Sequence, residues 1–313
     1  MQQALIAMSH SPLLEHTNPP EDVKAAVEAS FKQVRDFAND FNPDLVVNFG
    51  PDHYNGFFYD LMPAFCVGYE AIGTGDYNSW DGPINVPSTE AEKLAQYIID
   101  QDIDTAISRK MEVDHGAVQP MEIIFGGLDT KPVIPIFINS VAPPFSKMSR
   151  IRKFGQAVGE YFKDSDKKVL FIGSGGLSHD PPVPQIATAT EEQRKFLTNG
   201  RHPTPEARAA REARTIATAK AFALGEAEIM DLNPEWDREF MEVCKSGDVE
   251  KFDTYTANEM TAMAGHSSHE VRTWVAAYSA LRACGEYEVS YEFYKPIKEY
   301  IAGFGVTTAI LKK

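Results

Sequence analysis

The sequence predicts an α/β fold in which helices flank a central, mostly parallel sheet. Short apolar runs, rich in Val, Ile and Phe and ended by Gly, Pro or Asp, alternate along the chain with amphipathic segments. The alternation is typical of parallel sheets, whose buried strands have this composition. The 313 residues, 43% of them hydrophobic, exclude a disordered chain and suffice for one large core. We therefore expect a single domain over residues 1–313.

Each predicted element has its own local signal. Four apolar runs predict buried strands: Ala4–Met8, Leu45–Phe49, Val133–Ile138 and Val169–Ile172. Apolar residues spaced by three or four positions predict helices over Glu21–Asn39, Glu90–Asp100 and Ser149–Phe162. A last helix is expected after Ser267, and a last strand over Gly305–Leu311.

The stretch from about residue 180 to 236 differs from the rest of the chain. It opens with the proline-rich run Asp180–Pro184 and continues polar and charged. Thr204-Pro205-Glu206 has the features of a helix start, with a capping Thr and Pro at the first position. We expect a helical insertion that either mediates a subunit contact or covers the active site.

Charge and composition exclude several classes of function. Thirty Lys and Arg against 45 Asp and Glu give a net charge of −15, which argues against a nucleic-acid partner. Three widely spaced cysteines build neither a disulfide framework nor a zinc knuckle, so a reducing cytoplasmic location is expected. The N-terminus lacks the features of a signal peptide, and no apolar run has the roughly 20 residues of a membrane helix, so no membrane partner is expected.

Three histidines follow predicted strands. His10 comes after the first strand, His53 after the second and His179 after the fourth. Because the carboxyl ends of parallel strands lie at one sheet edge, where ligands bind, we expect these side chains to meet. His115 could join them from a loop. Imidazole is both a common metal ligand and the usual acid or base near neutral pH.

Glu270 is the candidate carboxylate for such a site. Two His and one carboxylate with open positions form the facial triad of non-haem Fe(II) oxygenases. Ser267-Ser268-His269-Glu270 also fits a capping box, in which the Glu side chain bonds back to the helix start. The residues alone leave both interpretations open. The segment is not a zinc-protease motif, because Thr273 stands where a His is required.

The glycine-rich run at residues 173–178 matches neither a dinucleotide-binding fingerprint nor a nucleophile elbow. We expect its glycines to let the backbone turn sharply beside a ligand.

Several segments together resemble the class III extradiol ring-cleavage dioxygenases of the protocatechuate 4,5-dioxygenase type. They are Ser9–Pro12, Pro51–Phe58, Asp114–Gly116 and Gly173–His179, and the resemblance extends to Gly305. The resemblance implies that His10, His53 and Glu270 bind Fe(II). It implies that His179 is the proton acceptor and His115 the proton donor.

The resemblance also implies the reaction, the extradiol cleavage of a catechol by O2, and a homo-oligomer, for instance a tetramer. It implies a propionate or acrylate side chain on the catechol, whose carboxylate needs a cation. The sequence does not identify that cation. The candidates are Arg272, Arg201, Arg208 and Lys295. Residues of these types are usually charged groups at the solvent-exposed surface. His266 and His269 are expected at the surface. A zinc hydrolase and a non-catalytic binding protein are the alternatives.

Overall fold

The structure is a computed structural model and describes residues 2–312. Its strands are β1 (Gln3–Met8), β2 (Leu45–Gly50), β3 (Phe65–Gly68), β4 (Ala71–Thr74), β5 (Asp81–Pro83), β6 (Ala106–Ser108), β7 (Met111–Val113), β8 (Val133–Ile138), β9 (Val169–Ser174), β10 (Tyr287–Ile297) and β11 (Ala302–Leu311). Its α-helices are α1 (Glu21–Phe41), α2 (Ser88–Asp100), α3 (His115–Phe125), α4 (Met148–Phe162), α5 (Glu191–Asn199), α6 (Pro205–Ala223), α7 (Pro234–Ser246), α8 (Ala257–Ala264) and α9 (Val271–Cys284).

An eight-stranded sheet in the order β10-β11-β1-β9-β2-β8-β3-β6 forms the centre of the molecule. The four predicted strands are its four adjacent central strands, β1, β9, β2 and β8, which run parallel. Antiparallel pairing begins on either side of them, at β11 and at β3. The predicted α/β fold with a mostly parallel central sheet and flanking helices is confirmed.

The helices predicted from periodicity, α1, α2, α4 and α9, are also confirmed, with shifts of one or two residues at some ends. The sequence did not predict α3, which contains Gly116 and Pro120 and has no extended apolar stripe. It also did not predict the second sheet, β5-β4-β7, whose strands have only three or four residues. Strands this short are below the length at which alternation is readable.

Helices α4 and α9 pack against each other with their backbones in contact. A Cβ placed on Gly155 would lie 2.2 Å from the Ala276 carbonyl oxygen, and one on Gly159 would lie 2.1 Å from that of Ala280. Only glycine permits this approach, because backbone atoms cannot move aside as a side chain can. On α9, Trp274 and Tyr278 are fully buried in the core.

Between residues 180 and 236 the chain forms an irregular loop with a turn, followed by α5, α6 and the start of α7. Thr204 caps α6 by accepting a hydrogen bond from the Ala207 amide at 3.2 Å, as its sequence predicts. Within residues 2–312, every helix is too short or too polar to cross a lipid bilayer.

Gly159→Ala is expected to lower the free energy of unfolding by about 2 kcal/mol or more, because the added methyl would overlap a backbone carbonyl of α9. Urea unfolding measures this change. Glu160→Ala, at an exposed neighbouring position of the same helix, is the control and should stay within about 0.5 kcal/mol of wild type. Equal stability of the two variants would contradict the close packing.

The three cysteines are free, and burial raises the pKa of the Cys66 and Cys284 thiols to about 12 and that of Cys244 well above its usual range. A thiol with a pKa of 12 is thiolate in about one molecule in ten thousand at pH 8. A disulfide-exchange reagent should therefore react with the native protein only slowly, and with all three thiols in guanidinium. Leu61→Cys, at a position 78% exposed, provides a fast-reacting control. Rapid reaction of a native wild-type thiol would contradict the burial.

Candidate active site

The three histidines that follow strands meet at the carboxyl edge of the central sheet. Strand β9 lies between β1 and β2, so the segments after these strands are neighbours although they are far apart in sequence. The rings of His10 and His53 have their centroids 5.4 Å apart. The Nε2 atoms of His53 and His179 each lie 3.0 Å from the same oxygen of Glu270. The predicted convergence of the histidines is confirmed.

His115 joins this group from the first turn of α3, and not from a loop as the sequence suggested. Its ring stacks on that of His53, with centroids 4.6 Å apart and planes inclined by 20°. Asp114 caps the helix by accepting a hydrogen bond from the Gly116 amide at 2.9 Å. The cap fixes the helix start and therefore the direction of the His115 side chain.

Glu270 faces the histidines, and its interpretation as a capping-box residue is wrong. The Ser267 side chain makes no capping hydrogen bond. The Glu270 carboxylate is fully buried and accepts a hydrogen bond from the Gly176 amide at 3.2 Å. The same oxygen, Oε2, lies 3.4 Å from His10 Nε2. One buried carboxylate is thus in contact with three imidazoles.

The glycine-rich run after β9 makes room for these side chains. A Cβ on Gly175 would lie 2.7 Å from the Glu270 carbonyl oxygen, and one on Gly176 would lie 2.7 Å from His179 Cε1. The sequence suggested that these glycines let the backbone approach a ligand. In the structure they let Glu270 and His179 approach the backbone.

Two of the four imidazoles have a neutral partner at Nδ1. The Ser174 hydroxyl donates its hydrogen to the Gly116 carbonyl, so its oxygen is free to accept one from His10 Nδ1, 3.0 Å away. His179 Nδ1 lies 3.0 Å from the Leu177 carbonyl oxygen, which can only accept. Both rings therefore have hydrogen on Nδ1, and in the neutral form each has its lone pair on Nε2.

The other two imidazoles have a buried carboxylate partner at Nδ1. His53 Nδ1 lies 3.0 Å from Asp114, and His115 Nδ1 donates to Asp76. Both aspartates are fully buried. A carboxylate at Nδ1 fixes the tautomer of the ring, as in metal sites.

The charges of the site act strongly on one another. Burial lowers the pKa of His10 to about 3. Burial also acts to lower the pKa of His53, but the carboxylates of Asp114 and Glu270 outweigh it and raise that pKa well above its usual range. Burial would raise the pKa of Glu270, yet the imidazoles of His179, His53 and His10 hold it well below its usual range.

The donor set fits a metal ion. Ligands about 2.1 Å from one ion at right angles lie about 3 Å apart, and the Glu270 oxygens lie 3.0 Å and 3.4 Å from the Nε2 atoms of His53 and His10. His10, His53 and His115 form a second set whose nitrogens lie within 4.8 Å of one another. His10 and His53 belong to both of these sets, and Asp76, Asp114 and His115 form a further group of possible ligands.

A cleft of about 760 Å³, solvent at its mouth included, opens above the imidazoles. Its walls are mostly apolar and aromatic, as is usual for small-molecule sites. The described residues that line it are His10, Ser11, Pro12, Leu13, His53, Tyr54, Asn55, Tyr77, His115, His179, Pro181, Pro182, Val183, Pro184, Phe196, Arg211, Thr215, Tyr300, Ile301 and Ala302.

Comparison with protein families matches residues 4–305 to the family described as the catalytic LigB subunit of aromatic ring-opening dioxygenase. The chain belongs to this LigB family. The match covers nearly the whole chain, so the resemblance noted in the sequence is confirmed. The LigB family is metal-dependent, in agreement with the clustered ligands.

Relatives within the LigB family are similar over their full length. A protein of Rhodococcus globerulus is 72% identical, over 100% of this chain and 99% of its own. One of Rhodococcus rhodochrous is 69% identical, over 99% of each chain. Both are named 2,3-dihydroxyphenylpropionate/2,3-dihydroxicinnamic acid 1,2-dioxygenase. The crystal structure of an uncharacterized Escherichia coli K12 protein shares the fold alone, with 12% identity and a TM-score of 0.51 over 97% of this chain and 98% of that one.

Not every polar residue near the site of this LigB-family chain was placed correctly from the sequence. His269 was expected at the surface but is buried, and its Nδ1 accepts a hydrogen bond from Arg272 at 3.1 Å. Arg272 itself is buried over the Phe145 ring. His266 is exposed, as expected.

Asp76, Ser174 and Arg211 were not identified as site residues. Asp76 and Ser174 contact the Nδ1 atoms of His115 and His10 and so orient these rings. Neither residue belongs to a recognisable sequence motif. Arg211 lies in the 180–236 segment, whose position over the cleft is a tertiary property.

Asp237 supports the loop that presents His179. Its two carboxylate oxygens accept hydrogen bonds from the Ser178 amide and the Ser178 hydroxyl, each at 2.7 Å. The Tyr294 hydroxyl donates a third, also at 2.7 Å. Asp237 is fully buried, so these contacts determine where the backbone beside His179 lies.

Asp237→Asn is expected to lower the free energy of unfolding by about 1–3 kcal/mol, because the amide nitrogen would face donors where an acceptor is required. Urea unfolding measures the loss. Tyr294→Phe removes one donor and leaves the other two bonds in place, so its loss should be smaller. An Asp237→Asn protein as stable as wild type would show that these hydrogen bonds do not support the loop.

Proposed function

We propose that the chain is an Fe(II)-dependent dioxygenase that cleaves 3-(2,3-dihydroxyphenyl)propionate and 2,3-dihydroxycinnamate in the extradiol position with O2. The product from the propionate would be a 2-hydroxy-6-oxo-nonadienedioate. The observation that carries the proposal is the buried Glu270 carboxylate in contact with three imidazoles at the base of the cleft. Relatives up to 72% identical are named for this activity.

His10, His53 and Glu270 are the proposed metal ligands. His10 and His53 each have hydrogen on Nδ1, which leaves Nε2 for the metal. Two imidazoles and one carboxylate leave open positions and are the donor set of non-haem Fe(II) oxygenases. Fe(II) bound there would bring both catechol oxygens and O2 together and allow electron transfer between them.

His179 is the proposed base. Its Nδ1 hydrogen bonds to the Leu177 carbonyl, so the Nε2 lone pair faces the site and can take a proton from a catechol hydroxyl. Burial acts to lower the pKa of His179, but the Glu270 carboxylate outweighs it and raises that pKa, which favours proton uptake. Its position beside Glu270, at 3.0 Å, places the transfer next to the proposed ligands.

His115 is the proposed acid. Its Nδ1 donates to the buried Asp76 carboxylate, which orients the ring and leaves Nε2 for proton transfer. The ring lies against His53, so an Nε2 proton can reach an oxygen of the reacting ring. His115 and His179 thus differ in their partners at Nδ1, which are a carboxylate and a backbone carbonyl.

Three broader features belong to the proposal. We infer one catalytic domain over residues 1–313 with a helical insertion at about 180–236; the family match over residues 4–305 supports it. Because Pro181–Pro184 and Arg211 line the cleft, the insertion covers the site. A homo-oligomer, for instance a tetramer, is carried over from the resemblance. The three free thiols support a cytoplasmic location.

Oxygen uptake with 3-(2,3-dihydroxyphenyl)propionate tests the function. The protein is loaded anaerobically with Fe(II), its iron content is measured, and substrate is added in air-saturated buffer. We expect stoichiometric O2 consumption and a yellow ring-opened product. Iron-loaded protein that consumes no O2 with this substrate, 2,3-dihydroxycinnamate or plain catechol would refute the function. Ester or amide hydrolysis by the zinc-loaded protein would then favour a hydrolase, and binding without turnover a binding protein.

Metal content of purified variants tests the individual roles. His10→Ala, His53→Ala and Glu270→Gln should retain less than about one tenth of the wild-type iron, because each removes a proposed ligand. His115→Ala and His179→Ala should keep the iron and lose about 10²–10⁴-fold in kcat. If His115→Ala loses iron while Glu270→Gln keeps it, the ligands are the three imidazoles His10, His53 and His115.

A further inference from the structure

Arg211 is the only Lys or Arg among the residues between 2 and 312 that line the cleft. No Asp or Glu belongs to that lining. The chain as a whole has a net charge of −15, so its long-range field repels anions. A local cation in an apolar cleft is the feature that would let such a protein bind an anionic small molecule.

The Arg211 guanidinium is held in place by uncharged partners. One terminal nitrogen donates to the Tyr54 carbonyl at 3.2 Å, and the other to Asn55 Oδ1. The group lies over the Phe196 ring, 5.1 Å from its centroid. These contacts fix its position and use two of its five N–H donors.

The charge of Arg211 is not neutralised locally. Between residues 2 and 312, no Asp or Glu oxygen lies within 4.0 Å of its nitrogens. The other cations considered from the sequence have different surroundings. Arg201 lies 3.7 Å from Glu112, and Lys295 lies 3.7 Å from Asp22. Arg208 donates to the Thr74 carbonyl, and Arg272 to that of Ser146.

Asn55 connects Arg211 to the histidine cluster. Its Nδ2 donates to Asp114 at 3.0 Å, and the same Asp114 oxygen is the partner of His53 Nδ1. Arg211 therefore lies beside the imidazoles, separated from His53 by two side chains. A ligand whose ring lies over the imidazoles could extend a short side chain to the guanidinium.

We propose that Arg211 binds the side-chain carboxylate of the substrate and thereby determines the preference for catechols with an acidic side chain. This inference rests on the proposed function. Arg can present two parallel N–H groups to a carboxylate, and a charge-assisted pair of this kind is strong in an apolar cleft.

Kinetics on two substrates tests the assignment. The probes are 3-(2,3-dihydroxyphenyl)propionate and 3-propylcatechol, which has a side chain of similar length without charge. For Arg211→Gln, the ratio of kcat/KM for the acid to kcat/KM for 3-propylcatechol should fall at least tenfold, mainly through KM for the acid. Arg211→Lys should lie between Gln and wild type, because it keeps the charge and loses the paired donors.

Arg214→Gln is the matched control. Arg214 lies on the same helix, is exposed and does not line the cleft, so this variant should leave the ratio at its wild-type value. An unchanged ratio in Arg211→Gln, or equal losses on both substrates, would overturn the proposal. Equal losses would mean that Arg211 acts only by supporting Asn55 and Asp114.

Ligand binding separates this proposal from the proposed function. Calorimetry with 3-phenylpropionate and 3-phenylpropan-1-ol needs neither turnover nor a catechol. Wild type should bind the acid at least tenfold more tightly than the alcohol, and Arg211→Gln should lose that difference. If wild type shows the difference and cleaves no catechol, the carboxylate site stands and the reaction is wrong. If wild type binds both equally, the carboxylate site is wrong whatever the enzyme cleaves.

Discussion

The burial of one carboxylate, that of Glu270, is the constraint on which the site depends. An ionised carboxylate in the interior costs several kcal/mol unless it is paired and hydrogen-bonded. The Gly176 amide donates a hydrogen bond to it, and the imidazoles of His53 and His179, whose pKa values are raised against the effect of burial, provide the opposite charge. Each imidazole is in turn fixed at Nδ1 by a group of its own. The protein thus holds its candidate ligands together before a metal binds, which reduces the cost of organising them on binding.

The topology explains why residues so far apart in sequence share this arrangement. Strands β1, β9 and β2 are adjacent and parallel, so the three segments that follow them emerge at one edge. The fourth imidazole comes from α3, and the carboxylate from the turn before α9. Because α9 packs on the sheet through Trp274 and on α4 through glycine contacts, Glu270 is positioned by the core and not by a surface loop.

Much of this could be predicted from the sequence. The central strands are continuous apolar runs, and the parallel sheet that they predict implied a common edge for His10, His53 and His179. Glu270 could not be decided locally, because Ser-x-x-Glu satisfies a helix cap as well as a metal site, and only the packing of α9 distinguishes the two. His269 and Arg272 were misjudged because polar residues are usually exposed, whereas here they bond to each other inside the protein. The place of Arg211 in the cleft could not be predicted, because it depends on how the 180–236 segment packs against the rest of the chain.

The glycine contacts between α4 and α9 have a consequence for how such an enzyme can diversify. Because backbone carbonyls of α9 lie against Gly155 and Gly159, a larger residue at either position would displace α9 and with it Glu270, which lies just before its start. A related protein that keeps this packing therefore keeps Glu270 in the same position. Much of the cleft's outer wall lies on the 180–236 segment, which has few buried side chains, so that wall can change without displacing the residues of the histidine cluster.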